Sequence, residues 1–148
     1  KGGEYQLPDA LRRLTERGTT FLPGKVDAWL DCGNKKVTVD TNKNVLNFDH
    51  EKGLNLVDKN ADIINSTIIQ PCFIGAGVKI LDSVVGPHVS IGDNTIVRSS
   101  VLSNCLIQND SSLAHLNLKD SMIGALVELH QKPKDLSVGD FTKIHDAE

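Results

Sequence analysis

The chain has 148 residues, with 16 Lys and Arg against 19 Asp and Glu, for a net charge of -3. That length fits one or two small domains, and the mild acidity argues against a dedicated nucleic-acid binder, which would carry a basic face. With no run of about 18 apolar residues and no charged-then-apolar leader, the expectation is a soluble, cytoplasmic chain that neither spans a membrane nor carries a secretory signal. Cys32, Cys72 and Cys105 are widely spaced and form no CxxC, so they read as reduced thiols rather than a disulfide frame or zinc site.

In chain order, Leu7, Leu11 and Leu14 recur at helical spacing, Pro8 suits a first turn and Gly18 stops the pattern, which predicts a helix over about 8–17. Arg12 and Arg13 read as its solvated face. After Pro23-Gly24, Lys25 to Leu30 reads as a short strand with Trp29 in the core, entering the turn Asp31-Cys32-Gly33-Asn34. From Asn34 to about Leu46 two readings stay open. Asn34 is a good helix cap, whereas Val37, Thr38, Val39 and Thr41 are β-branched and favour a strand. The polar, turn-rich stretch from Asn47 to Gly53 marks a domain boundary near 47–61.

All eleven isoleucines follow residue 60. From there one aliphatic residue recurs every five or six positions: Ile63, Ile68, Ile74, Ile80, Val85, Ile91, Val97, Leu102, Ile107, Leu113, Leu118, Ile123 and Leu129, with Val138 and Ile144 continuing the step. Neither a helix nor a simple strand has this period. Hexapeptide repeats do, each short strand pointing one side chain inward before a turn, three strands to a triangular coil. Ile68, Val85 and Leu102 are 17 residues apart and therefore stack. Glycine follows the inward residue at Gly75, Gly86, Gly92, Gly124 and Gly139, and is expected to close tight corners; Pro71 and Pro87 mark further corners. An aliphatic-rich sandwich is the competing reading, but it calls for period-2 alternation over longer runs.

The run from Ile74-Gly75-Ala76-Gly77 to Ser90-Ile91-Gly92-Asp93-Asn94-Thr95 resembles the left-handed parallel β-helix of sugar nucleotidyltransferases and acyltransferases. Gly3-Glu4-Tyr5-Gln6-Leu7-Pro8-Asp9-Ala10 resembles the GEYQLTDA segment of sugar-1-phosphate nucleotidylyltransferases of the long-form glucose-1-phosphate thymidylyltransferase type. Ala28-Trp29-Leu30-Asp31-Cys32-Gly33 resembles their W-x-D-C/T-G segment. Pro8 departs from the family's Thr and removes a capping hydroxyl.

The resemblance implies a mainly β chain. Residues 1–50 would be the α/β end of a nucleotidyltransferase catalytic domain, 51–61 a linker and 62–148 the left-handed β-helix. It implies a parent enzyme that joins a sugar 1-phosphate to a nucleoside triphosphate with Mg²⁺ and releases pyrophosphate. Asp31 is the matching metal ligand, a hard oxygen suited to Mg²⁺. Gly33 turns the backbone beside it, and Glu4 and Gly33 match segments near the substrate. The family's glycine-rich nucleotide loop, first metal-binding Asp and Pro-Lys-Pro segment have no counterpart here. The expectation is therefore an inactive C-terminal fragment whose β-helix serves assembly or regulation as a homo-oligomer.

Two readings compete: a pure oligomerisation module, and a hexapeptide acyltransferase in which a histidine such as His88 or His115 acts as base. Against the second, His88 follows Pro87 at a coil corner and reads as a solvated turn residue. Cys72 and Cys105 read as small coil residues.

Overall fold

The computed structural model describes residues 6–143, and the chain divides between Leu30 and Asp31 into two compact units. In the first, helix α1 spans Leu7–Glu16 with proline in its first turn. Gly18 ends it at φ +89°: its N–H donates to Thr15 O and that of Thr19 to Leu14 O, the paired bonds that satisfy a helix's last carbonyls. Leu7, Leu11 and Leu14 share a face, as their spacing requires, and all three are exposed. The strand expected over 25–30 does not form. Those residues are irregular, and Trp29 is 86% exposed rather than core. Without a partner strand a six-residue β-segment has nowhere to place its backbone hydrogen bonds.

The second unit opens with helix α2, Lys35–Glu51, so the segment with two readings is helical. Asn34 caps it, its side chain accepting from Val37 N at 3.1 Å. The β-branched residues are accommodated because two of them bond the backbone: Thr38 Oγ1 donates to Asn34 O and Thr41 Oγ1 to Asp31 O. Packing outweighs local propensity here, since Val39 and Leu46, two turns apart on one face, are both buried. Asn47 to Glu51 is the last turn of this helix, and Gly53, at φ +74°, closes it.

From Asp62 onward the chain winds into a parallel β-solenoid of about four turns. One face stacks β1 (Asp62–Ile64), β4 (Lys79–Leu81), β7 (Ile96–Arg98), β9 (Ser112–Ala114) and β11 (Glu128–His130). A second stacks β2 (Thr67–Ile68), β5 (Val84–Val85) and the first halves of β8 (Val101–Ile107) and β10 (Asn117–Ile123). The third stacks β3 (Cys72–Ile74), β6 (Val89–Ile91) and the second halves of β8 and β10. Every pairing is parallel and in the register set by the repeat. Ile63 lies beside Ile80, Ile80 beside Val97, Val97 beside Leu113 and Leu113 beside Leu129. In the middle coils these side chains are fully buried, each such burial stabilising by about 1.5–3 kcal/mol.

The coil step shortens from 17 to 16 at one place. Val84 pairs with Val101, but Ser90 pairs with Leu106. Gly86-Pro87-His88 makes the second corner in one coil, and Ser103-Asn104 replaces it in the next, so β8 and β10 run through their corners without a break. Corner residues adopt positive φ, and they are chiefly Asn and Asp: Asn65, Asp82, Asn94, Asn104, Asp110 and Asp120. Their side chains join successive coils, as in Asn65 Nδ2 to Asp82 Oδ1 at 2.6 Å, Asn94 Nδ2 to Asp110 Oδ1 at 3.1 Å and Asn104 Nδ2 to Asp120 Oδ1 at 2.7 Å.

The glycines play a different part from the one expected of them. Gly86 does adopt positive φ, but Gly75 and Gly92 do not. A Cβ at Gly75 would run into the Asp93 carboxylate, and one at Gly92 into the Asn109 amide, from the coil above. Space, rather than backbone freedom, excludes larger residues there. Val138 departs from the expected inward column as well, being exposed and outside any strand; Ile144 lies outside the described residues.

Inside two corners, buried hydroxyls replace aliphatic side chains. Ser83 N donates to Ser66 Oγ, Ser100 N to Ser83 Oγ and Leu116 N to Ser100 Oγ, at 3.0 to 3.1 Å. Ser111 N donates to Thr95 Oγ1 and Val127 N to Ser111 Oγ. These ladders satisfy amides that the turns take out of the sheets.

Helix α2 lies over β8 and β10. It is fastened by Ser90 Oγ to Asn42 Oδ1 at 2.6 Å, His88 Nε2 to Asn47 Oδ1 at 2.9 Å and Lys35 Nζ to Asp120 O at 2.9 Å. His88 is thus a half-buried fastening residue rather than the solvated turn residue expected, because α2 crosses its corner. Burial, and then the nearby Lys43 ammonium, hold its imidazole below the ordinary value.

Two outcomes follow. Ser100→Ala leaves the buried Leu116 amide without its acceptor and is expected to lower unfolding stability by about 1–3 kcal/mol in urea titrations. Because the folded His88 binds its proton less tightly than the unfolded one, its contribution is complete above the unfolded value of about 6.5 and lost as pH falls through the lower folded value. Native chain is therefore expected to lose more stability than His88→Gln between pH 7.5 and pH 5, as read by paired denaturant titrations.

Candidate functional site

The turn Asp31-Cys32-Gly33-Asn34 leads directly into α2 and is held by it. Thr41 Oγ1 donates to Asp31 O at 2.7 Å, and Thr38 Oγ1 shares its one proton between Asn34 O at 2.9 Å and Cys32 O at 3.2 Å. Two hydroxyls one helical turn apart thus fix the backbone of the turn. The Asp31 carboxylate itself is exposed, with Oδ1 accepting from Cys32 N at 2.7 Å. Gly33 adopts no positive φ; a Cβ there would stand 3.3 Å from Asp31 Oδ2, so its lack of side chain leaves room beside the carboxylate. Glu4 lies outside the described residues, as does most of the Gly3 to Ala10 motif's start.

Asp31 has the donor chemistry of a Mg²⁺ ligand but not the number. Among the described residues no three His, Cys, Asp or Glu side chains converge to hold a metal ion. One exposed carboxylate does not make a Mg²⁺ site, which takes near-octahedral oxygen ligands, and no reaction step runs through a metal on these residues.

The other reactive side chains are scattered. Cys72 and Cys105 are buried, their thiols pushed up by burial and bonded to Ile69 O and Ser103 O, each at 3.1 Å. Such thiols are inert. His115 stands exposed at a corner, while His130 Nε2 lies 2.8 Å from Ser112 Oγ on the open outer surface of the first face.

What sequence reasoning missed is the seam under α2. A cavity of about 310 Å³ is lined there by Lys35, Lys36, Val39, Asp40, Asn104 and Asp120. Asn104 and Asp120 are 16 residues apart at equivalent corners, a signal present in the repeat beside the aliphatic one. Asn104 Oδ1 is buried there with no partner among the described residues. Lys35 Nζ donates to the Asp120 backbone O and the Asp120 carboxylate accepts from Asn104 Nδ2, so the lining is polar; it includes neither an activated nucleophile nor a base paired with one.

No family model matches the chain, and no solved structure does. Among characterised proteins it is 27% identical over 149 residues to the glucose-1-phosphate thymidylyltransferase of Streptomyces griseus, covering 89% of this chain and 41% of that one. The glucose-1-phosphate thymidylyltransferase of Streptomyces antibioticus is 27% identical over 143 residues, 87% of this chain and 40% of its own. The bifunctional protein GlmU of Bacillus velezensis is 28% identical over 138 residues, 75% of this chain and 29% of its own. The chain spans about two-fifths of the length of the thymidylyltransferases it matches. Along most of its length, then, it is similar to the C-terminal part of sugar nucleotidyltransferases of the glucose-1-phosphate thymidylyltransferase and GlmU kinds.

Proposed function

We propose that this chain is the C-terminal part of a sugar-1-phosphate nucleotidylyltransferase. In that reaction a phosphate oxygen of the sugar 1-phosphate attacks the α-phosphorus of a nucleoside triphosphate, the bond to the bridging oxygen breaks and pyrophosphate leaves. The observation that carries the reading is the similarity to two thymidylyltransferases over nearly nine-tenths of this chain. It makes a thymidylyl donor the first candidate. Mg²⁺ belongs to that parent reaction, and Asp31 is the residue of this chain whose motif marks it as one ligand. Residues 1–50 are the end of the catalytic domain and the coils a module for assembly and regulation. Alone, the chain is inactive, since one ligand without a phosphate cradle does not orient two substrates. A cytoplasmic location and a homo-oligomeric state belong to the same reading.

The acyltransferase alternative has less support. Its first candidate base, His88, has Nε2 bonded to Asn47 beneath α2.

The test is to assay the full-length gene product containing this chain with glucose 1-phosphate, dTTP and Mg²⁺, reading pyrophosphate release. Sugar nucleotide is expected from the full-length protein, with Asp31→Ala reducing turnover by about 100-fold, and none from residues 1–148 alone. Failure of the full-length protein with every nucleoside triphosphate, or turnover by the isolated chain, overturns the proposal.

A further inference from the structure

The two ends of the coil stack are finished differently. At the first coil, residues 56–58 lie along β3, with Ile74 N donating to Leu56 O at 2.9 Å and Asp58 N to Ile74 O at 2.8 Å. At the last, no strand pairs with the outer edges of β10 and β11 among the described residues. Past β11 the chain passes through Gln131–Asp135 into Leu136-Ser137-Val138-Gly139-Asp140-Phe141-Thr142-Lys143. This stretch repeats Val89-Ser90-Ile91-Gly92-Asp93-Asn94-Thr95-Ile96, with Ser, Gly, Asp and Thr identical and the two inward positions aliphatic in both. Yet Leu136, Val138 and Phe141 are all exposed.

Two independent features of the structure are accounted for by placing this stretch on the stack. The first is Gly124. Glycine stands at Gly75 and Gly92 because an Asp or Asn of the coil above, Asp93 or Asn109, folds down over it, with the oxygen accepting from Ala76 N at 2.9 Å or Asp93 N at 3.1 Å. Where the coil above supplies Ala125 instead, the position holds Gln108. Gly124 therefore implies an Asp or Asn above it, yet a Cβ there would meet only Val127 Cγ2 at 4.0 Å. Asp140 is the residue that the repeat places over it.

The second is Phe141, which holds φ +61° although its side chain is bulky. Asn94, Asp110 and Leu126 hold +57°, +56° and +59° at the corner it would extend. Left-handed backbone at such a residue is unfavourable and calls for a reason. The corner is already shaped for stacking.

We propose that Leu136–Lys143 docks on the open end of its own chain's fourth coil, as a closing strand along β10 and a corner above Leu126. Asp140 then accepts from Ala125 N over Gly124. The ladder bonds continue in series: Gly75 N to Ile91 O, Gly92 N to Ile107 O and Gln108 N to Ile123 O are followed by Gly124 N to Val138 O. Likewise Ile96 N to Ser111 O and Ser112 N to Val127 O are followed by Glu128 N to Thr142 O. Residues 131–135 bridge the second face without a strand. Lys134 falls at that face's inward position, which a coil in register would bury, so the bridge runs outside. Five extended residues reach about 17 Å, enough to replace the six, 115–120, that cross this side in the coil below. A tether this short favours the chain's own edge over that of a second copy.

Amide hydrogen exchange on the whole chain tests this. The Gly124 and Glu128 amides are expected to be as protected as those of Gln108 and Ser112, and Gly124→Ala and Asp140→Ala each to cut protection at Glu128 by about tenfold or more while leaving Gln108 unchanged. Should Gly124→Ala disturb the coils, Asp140→Ala and Val138→Asp lie beyond them and carry the same expectation. Unprotected exchange at Glu128 in the unsubstituted chain overturns the proposal. So does protection that rises with protein concentration alongside a dimer in light scattering, which would place the segment on a second copy.

Discussion

Vertical registration governs this molecule. Once three short strands close a triangular coil, each residue is committed to a neighbour 16 or 17 positions away, and the backbone amides at the corners must find acceptors without leaving the stack. The aliphatic columns meet the first demand. Ser66, Ser83 and Ser100 at one corner, with Thr95 and Ser111 at another, meet the second. A solenoid is stabilised by nearest-neighbour terms, so a lost hydroxyl weakens the contact between two coils and the stack at that level.

The repeat was legible because aliphatic residues every five or six positions fit neither a helix nor the period-2 alternation of a sandwich strand. Inward positions from Ile63 to Leu129 follow from periodicity alone. The polar half of the same code was less visible: Asn and Asp at positive-φ corners, and hydroxyls under the turns, are ordinary loop residues until the coil geometry gives each a partner. The glycines illustrate the difference. Gly75 and Gly92 look like turn residues in sequence, but their cause is a side chain 17 or 18 positions later, which local reading does not supply.

Local propensity was least reliable before residue 60. Val37, Thr38, Val39 and Thr41 favour a strand in isolation, yet they sit in α2 because Val39 and Leu46 find a coil surface to cover. Trp29 and the leucines of α1 stay exposed. Asp31 and Gly33 stand out in the sequence only as matches to a motif, and the structure adds how Thr38 and Thr41 fix the turn that carries them. The cavity under α2 was not legible, since it depends on a helix and two distant coils meeting.

The single-residue shortening at the second corner has a consequence for how such chains can vary. Gly86-Pro87-His88 gives way to Ser103-Asn104, and the strands before and after still align with their predecessors. A residue gained or lost there is absorbed locally, whereas the same change inside any strand would turn a column of side chains inside out. This vertex is therefore where the architecture absorbs a change of one residue, while a longer loop there would push against α2, which crosses it, and lift the helix from the prism.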